Sequence, residues 1–434
     1  MDSLQVGNRP LTPDVKGMSL TSTATGAADV STLRLNVLDE DVNFPVAVLR
    51  MSALEQNIRW MSEYVSRSDA LFAPHGKTSM CPELFTMQLD AGAWGVTLAT
   101  SHQVAAARKS GINRILMASQ LVGKQSIAYV ISELKRDPDF DFYCLVDNAD
   151  NAMELDRAVR DSCLDRPLQV MIEIGFDAGR TGVRTQDDAR ALARTIADSA
   201  HLALRGIEGF EGLISATEGK TRQQKILTFL TRIVGLVKWC DEQALFAPGD
   251  ILLSAGGSSF YDLVLDLFKD VRLSSPHKVV TRSGCYLTHD AILYKKAFEE
   301  IQARSSSARE VPGGLVPALE VWGYVISRPE PCKLIVNVGK RDVGHDDLPL
   351  MQTWCRPQSA NAAQRVTEPL SSDHVVTQLD DQHCHVTVPA DSPLKVGDMV
   401  QFGISHPCLT FDKWRNLFLV DDGYNVTKAV DTYF

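Results

Sequence analysis

A lysine stands in the segment Pro-His-Gly-Lys-Thr-Ser, with His75 before Lys77 and Ser79 after it, directly behind the apolar run Ala-Leu-Phe-Ala-Pro. An amine held at the end of a buried strand loses hydration, which lowers its ammonium pKa and makes it a Schiff-base former. The plainer alternative is a solvated surface lysine. In Gly-Phe-Asp-Ala-Gly-Arg-Thr-Gly, residues 175–182, the glycines permit a tight turn and Arg180 offers a fixed positive charge. That arginine could equally be ion-paired to Glu173 or Asp177. Two further Gly-rich turns follow late apolar runs: Ser-Ala-Gly-Gly-Ser-Ser, carrying Gly256, Gly257 and Ser258, and Arg-Ser-Gly-Cys-Tyr, from Arg282 through Gly284 and Cys285 to Tyr286. Successive backbone N–H groups in such turns form an anion-binding nest, which suits a phosphorylated ligand. In Ser-His-Pro-Cys, His406 and Cys408 stand two apart and are both good ligands for a borderline metal such as Zn2+, although two ligands do not complete a tetrahedral site. His383 and His385, flanking Cys384, form a rival pair that also reads as an ordinary exposed alternation.

Such groups work together only if the chain brings them to one place. From Phe44 onward, short apolar runs alternate with amphipathic stretches. A first strand over 44–49 leads into a helix over 52–66, whose start is marked by a Ser52-x-x-Glu55 capping box. Eight further strands are expected at 70–74, 94–98, 114–118, 142–146, 169–174, 203–210, 251–254 and 278–281. Helix-like stretches at 82–91, 102–110, 149–161, 187–199, 221–243 and 260–268 separate them. Strict β/α alternation with eight strands predicts an α/β fold built on a closed (β/α)8 barrel, with an open doubly wound sheet as runner-up. Every candidate from Lys77 to Tyr286 then follows a barrel strand, and the last two βα loops are the usual phosphate site of such barrels. Residues 303–316 read as a linker. Beyond it, runs at 318–327, 333–338, 375–379, 384–389, 399–403 and 416–420 predict a C-terminal antiparallel β domain. The expected organisation is a polar, partly irregular arm over 1–43 that could join the β domain, a barrel over 44–290, and a β domain over 291–434 carrying the metal site.

The chain has 434 residues, 44% hydrophobic and 23% charged, with a formal net charge of −10. That length suits two domains and that composition a folded core. The acidic balance leaves no basic stripe for nucleic acid. No apolar run reaches the roughly 18 residues of a membrane span, and the first 30 residues lack the apolar core of a secretory signal. The nine cysteines are widely spaced and odd in number, which fits a reducing compartment and predicts a cytoplasmic protein.

Taken together, the motifs resemble the D-serine dehydratase and D-threonine aldolase family, which shares the alanine racemase-like fold. The resemblance runs from about Phe44 to the end and rests on five motifs in order: the Lys77 segment, the Arg180 turn, the Gly-Gly-Ser turn, Arg-Ser-Gly-Cys-Tyr and His-x-Cys. It implies that Lys77 carries pyridoxal 5'-phosphate as a Schiff base and that Arg180 contacts the cofactor's phenolic oxygen. Gly256, Gly257, Ser258, Arg282, Gly284, Cys285 and Tyr286 would bind the cofactor, chiefly its phosphate. His406 and Cys408 would hold a divalent metal, Zn2+ before Mn2+ or Mg2+. A homodimer is implied as well, one subunit's β domain covering the other's barrel mouth. Two departures stand out: Ser283 replaces a frequent proline, and Ser79 a frequent histidine. His383 follows an acidic segment similar to one in the family, which would bring it near the site. The implied activity is metal-assisted dehydration and deamination of D-3-hydroxy amino acids such as D-serine or D-threonine. The alternative is D-threonine aldolase chemistry. A racemase lacks a second-face tyrosine here, and non-catalytic binders of this cofactor usually consist of the barrel alone.

Overall fold

Eight parallel strands, hydrogen-bonded in the spatial order of a curled sheet, form the first half of the computed structural model, which describes residues 9–21, 25–217, 219–357 and 367–434. In chain order they are Leu71–Phe72, Val96–Leu98, Arg114–Gln120, Asp141–Val146, Leu168–Ile174, Leu202–Gly209, Ile251–Ala255 and His277–Thr281. The last pairs with the first through Val280 and Leu71. The remaining gap is bridged by His75 paired with Thr97, by Trp94 N–H donating to Phe72 O (2.7 Å) and by Thr97 N–H donating to Pro74 O (2.9 Å). The sheet is therefore closed, and the open-sheet alternative falls.

Alternation along each strand decides what fills the barrel. Leu116, Tyr143, Leu145, Met171, Leu252 and Val280 form one buried cluster. Their neighbours Ile115, Phe142, Cys144, Val170, Ile172 and Leu253 belong to the larger core shared with the surrounding helices. Several helix starts are set by side-chain caps: Thr100, Asn148 and Thr185 accept from backbone N–H groups three residues on, and Thr221 with Gln224 completes a capping box. The helix Lys124–Arg136, between the expected 114–118 and 142–146 strands where no helix was expected, starts instead behind Gly123, with no side-chain cap.

A ten-stranded, mostly antiparallel sheet makes up the second half, with the path Glu368–Pro369, Leu350–Cys355, Met399–Gly403, Leu319–Glu330, Lys333–Val336, Cys384–Thr387, Val375–Leu379. Val46–Arg50 also belongs to it, antiparallel to Leu319–Glu330 and parallel to Asn416–Val420. The expected strand at 44–49 therefore exists but stands in the C-terminal sheet, not at the start of the barrel. The chain crosses over through the helix Met51–Arg67. Ser52 does not cap that helix; its hydroxyl donates to Asp422 (2.6 Å), and Arg50 occupies the cap position without a side-chain bond.

The expected linker at 303–316 and the described residues of the arm, 9–21 and 25–43, pack onto the rest of the chain; residues 1–8 and 22–24 of the arm lie outside the described residues. Half of the 303–316 stretch is helical, completing Leu293–Arg304 and adding Ser306–Glu310. Its serines misled because Ser305 is a helix cap, accepting from Ala308 N–H, and Arg304 is anchored to Asp262 through two hydrogen bonds of 2.7 and 2.8 Å. Within the arm, Leu11, Met18, Val30, Leu35, Val37 and Leu38 are buried in one cluster with Trp322, Met399 and Phe418. Among the described residues no helix is long and apolar enough to cross a membrane.

Asn57, fully buried in the crossover helix, fastens the two halves. Its amide donates to Leu287 O and Val316 O, and its oxygen accepts from Val316 N–H, each at 2.8 Å. Replacing it by alanine strands three backbone groups, each costing about 1–3 kcal/mol when unsatisfied and out of reach of water. Asn57→Ala should therefore lower the thermal unfolding midpoint by several degrees, whereas exchange of an exposed neighbour such as Glu55→Ala should leave it nearly unchanged.

Candidate active site at the barrel mouth

Lys77 occupies the tight turn Gly76–Thr78, which continues the first barrel strand and precedes the helix Pro82–Asp90. The turn is wedged between two close approaches. A Cβ on Gly76 would lie 2.7 Å from the Phe85 ring and 2.9 Å from Val96; one on Gly284 would lie 2.5 Å from His75 O and 2.9 Å from Thr78 Oγ1. Glycine at both positions lets the backbone seat Lys77 at the mouth. Burial lowers the Lys77 ammonium pKa, with Arg180 and Arg282 acting in the same direction and Cys408 and Cys285 opposing. His75 Nδ1 lies 3.1 Å from Thr97 O; a carbonyl only accepts, so Nδ1 carries the hydrogen and Nε2 remains an acceptor. Burial, reinforced by Lys77 and Arg282, keeps His75 neutral, its pKa well below the ordinary histidine value.

The cavity above Lys77 measures about 240 Å³ and is lined by His75, Lys77, Glu173, Arg180, Glu208, Phe210 and Arg282 among others. Its acids follow from strand alternation. Glu173 lies two residues beyond the inward-facing Met171, and its register partner on the next strand is Glu208. Two buried carboxylates side by side need compensation. Gln120 and Thr181 donate to Glu173 at 2.5 and 2.8 Å, and Arg282 donates to Glu208 at 2.5 Å. Burial still pushes Glu208 up to about 8, with Glu173 and Glu211 adding to the shift and Arg282 opposing it. Sequence reasoning named Glu173 only as a possible partner of Arg180 and missed Glu208. Their signal was an acid at an inward position of an otherwise apolar strand.

The expected cofactor residues are distributed as follows. Arg180 lies at the exposed rim, its guanidinium 4.9 Å from the Phe210 ring centre, and Glu173 is engaged by other donors. Arg282 is buried and committed to Glu208 and to Gly209 O. Gly256 and Gly257 do form an anion nest, but their N–H groups donate to the buried carboxylate of Glu211, at 3.1 and 2.8 Å. Gly256 has φ +87°, which favours glycine. Ser258 Oγ accepts from Cys285 N–H and from Ser283 Oγ, both at 3.2 Å, so the two Gly-rich turns are tied together. The Tyr286 hydroxyl accepts from Gln88 at 2.9 Å.

Beside the Lys77 turn lies a second cluster. His406 and Cys408 come from the β domain, where the short helix Pro407–Phe411 begins. They meet Cys285 of the barrel so that one ligand atom from each lies within 4.8 Å of the others. Cys285 Sγ is 3.8 Å from Cys408 Sγ, and Cys408 Sγ is 3.4 Å from the Thr78 hydroxyl. Asp346, a loop residue with no sequence signal, accepts from His406 Nδ1 at 2.7 Å and leaves Nε2 for the cluster. Hydrogen bonds from Cys285 and His406 hold the Cys408 thiol far below its ordinary pKa, while Cys285 is pushed up by its bond to Cys408 and by burial. His406 is raised to about 9, first by Cys408 and then by Asp346, against burial. His383 lies on an exposed turn, and His385 pairs with Asp380 at 2.9 Å.

Both implied groups fit these residues. A destabilised ammonium and the rim guanidinium of Arg180 over a cavity of about 240 Å³ suit an anionic aldehyde cofactor, and a thiolate with an oriented imidazole suits a borderline metal.

Glu208 gives a pH prediction. Below about pH 4.5 its carboxyl is protonated in both folded and unfolded chains. Between 4.5 and about 8 the unfolded chain loses the proton while the folded chain keeps it, so folding stability falls as pH rises. Urea titrations of Glu208→Gln should lack this part of the decline, and parallel profiles for variant and parent would refute the assignment.

Comparison with known proteins agrees with this architecture. Residues 49–259 match the family model for the alanine racemase N-terminal domain, and residues 318–420 that for a putative serine dehydratase domain. D-threonine aldolase of Arthrobacter sp. is 23% identical over 385 residues, 88% of this chain and 90% of its own length. A 3-hydroxy-D-aspartate aldolase of Paracoccus denitrificans (strain Pd 1222) is 22% identical over 239 residues, 55% of this chain and 60% of its own. Among solved structures, D-threonine aldolase from Filomicrobium marinum gives a TM-score of 0.73 at 17% identity, covering 92% of this chain and 97% of that one. D-threo-3-hydroxyaspartate dehydratase from Delftia sp. HT23 gives 0.68 at 18%, covering 92% and 99%. Residues 49–259 and 318–420 are thus similar to an alanine racemase N-terminal domain and a putative serine dehydratase domain in turn, and the fold of the chain is alanine racemase-like.

Proposed function

We propose that this protein is a pyridoxal phosphate-dependent, metal-assisted lyase that converts D-3-hydroxy amino acids such as D-serine or D-threonine to the 2-oxo acid and ammonia. The observation that carries the reading is adjacency: Thr78, the residue after Lys77, is bonded to Cys408, whose sulfur also acts electrostatically on the Lys77 amine. Pyridoxal phosphate, when bound, supplies an electron sink for charge developing at the substrate's Cα. Lys77, whose ammonium is destabilised by burial, is the base for the Cα proton. Arg180 at the rim supplies positive charge toward the cofactor's phenolic oxygen. The Gly256–Ser258 and Gly284–Tyr286 turns would hold its phosphate, once Glu211 had released the Gly256 and Gly257 N–H groups. His406 and Cys408 would hold a divalent metal, Zn2+ by the softness of the thiolate, which supplies Lewis acidity toward a 3-hydroxyl. In support, a Cys-to-Ala variant of a D-threo-3-hydroxyaspartate dehydratase, TM-score 0.69 at 18% identity, is known in a metal-free form. Nine free thiols support a reducing cytoplasm as the compartment. A homodimer belongs to the same proposal and is tested by sedimentation.

The second reading, D-threonine aldolase, is favoured by the 88% coverage of this chain by the Arthrobacter aldolase. The putative serine dehydratase domain, whose span includes His406 and Cys408, supports dehydration. Incubation with D-threonine separates the two: 2-oxobutanoate and ammonia are expected, and glycine with acetaldehyde would overturn dehydration in favour of the aldolase. Lys77→Ala should abolish both the visible absorption of the holoenzyme and all turnover. Turnover that survives exhaustive chelation would remove the metal from the mechanism.

A further inference from the structure

Cys285 sits in a turn whose backbone belongs with the phosphate cradle, yet its side chain faces the other way, toward Cys408. We propose that Cys285 is a third protein ligand, so that the metal site is a Cys2His centre built from both domains and selective for Zn2+. The inference rests on the metal reading above and deepens it.

Three observations point to it. Two thiolates on one tetrahedral zinc, each about 2.3 Å from the ion, stand about 3.8 Å apart; the Cys285 and Cys408 sulfurs are separated by 3.8 Å. An imidazole nitrogen of His406 completes a triangle within 4.8 Å, and the Asp346 carboxylate fixes that ring through Nδ1, the outer-shell partner that metal-bound histidines have. Hydroxyl groups reach both sulfurs: Thr78 bonds Cys408, and Tyr294 bonds Cys285. A pair of merely packed thiols needs none of this. With three protein ligands, one tetrahedral position stays open for a substrate oxygen, the arrangement of catalytic zinc sites. Two sulfurs also disfavour a hard ion such as Mg2+.

Metal content of the full-length holoprotein tests the inference without reference to turnover. After chelation and reloading, the parent should bind one Zn2+ per chain and keep it against a large excess of Mg2+. Loss of an outer-shell partner alone typically weakens such sites 10–100-fold, so Cys285→Ser, read by competition with a chromophoric chelator, should weaken Zn2+ binding by at least about that factor. Cys285→Ala serves as the second variant if serine retains a weak oxygen ligand, and unchanged thermal melting shows that the fold persists. Co2+ loaded in place of zinc should show thiolate charge-transfer absorption that falls in Cys285→Ser, falls in Cys408→Ser and vanishes in the double variant. Parental Zn2+ affinity and an unaltered cobalt spectrum in Cys285→Ser, with loss in Cys408→Ser, would overturn the third ligand and leave the proposed function standing. A parent chain that takes up no metal would overturn both.

Discussion

The site depends on a steric constraint: the turn that carries Lys77 has no room for a side chain on either flank. Phe85 and Val96 press on Gly76, and Gly284 presses back against His75 O and Thr78. Because Gly284 is seated there, Cys285 and Ser258 follow in fixed positions. Because Thr78 is seated there, Cys408 reaches the barrel from the other domain. One backbone contact therefore sets the amine, the Gly-rich turns and the sulfur cluster relative to one another. Core packing at near-crystalline density holds it, since neither neighbour can relax without opening a void.

Charge is distributed in keeping with that geometry. The lower barrel is filled with apolar side chains, and the change to Glu173, Glu208 and Glu211 comes at the carboxyl ends of the strands. Each acid is met by a specific partner: amide and hydroxyl donors for Glu173, a guanidinium for Glu208, two backbone N–H groups for Glu211. The cations left facing the cavity, Lys77 and Arg180, are thereby freed from the nearest carboxylates. Positive charge stays available around the partly buried Lys77, where it counts for more than it would in bulk solvent.

Much of the architecture was legible because periodicity reports local structure directly. Each barrel strand falls within two residues of its expected limits, since alternation and flanking turns are written in consecutive residues. What was not legible is non-local. Nothing near Phe44 reveals that Val46–Arg50 pairs with segments some 270 and 370 positions later. Ser52 matches a capping pattern, yet a distant Asp422 claims its hydroxyl. In the site, motif order singled out Lys77, Arg180, His406 and Cys408. Cys285 was read by the turn it sits in, and only the fold reveals where its sulfur points. Asp346 stands in a loop whose sequence has no periodic or motif signal. The turn at Gly256 and Gly257 was read as a seat for a phosphate, and in the structure its N–H groups donate to Glu211, a side chain of the chain itself.

The parallel pairing of Val46–Arg50 with Asn416–Val420 has a consequence for biosynthesis. The barrel is in effect inserted between two pieces of a single sheet, and the first piece leaves the ribosome hundreds of residues before its partners. During that interval Val46–Arg50 offers unpaired backbone and an apolar face to whatever is nearby, which is the condition under which strands associate wrongly. The barrel, whose neighbouring strands are close in sequence, can close while translation continues. The second sheet, by contrast, is completed only when the C-terminal residues arrive. A chain that closed its barrel first would carry Val46–Arg50 as an orphaned strand until the C-terminal residues arrived, the stage at which a chaperone would have most to protect.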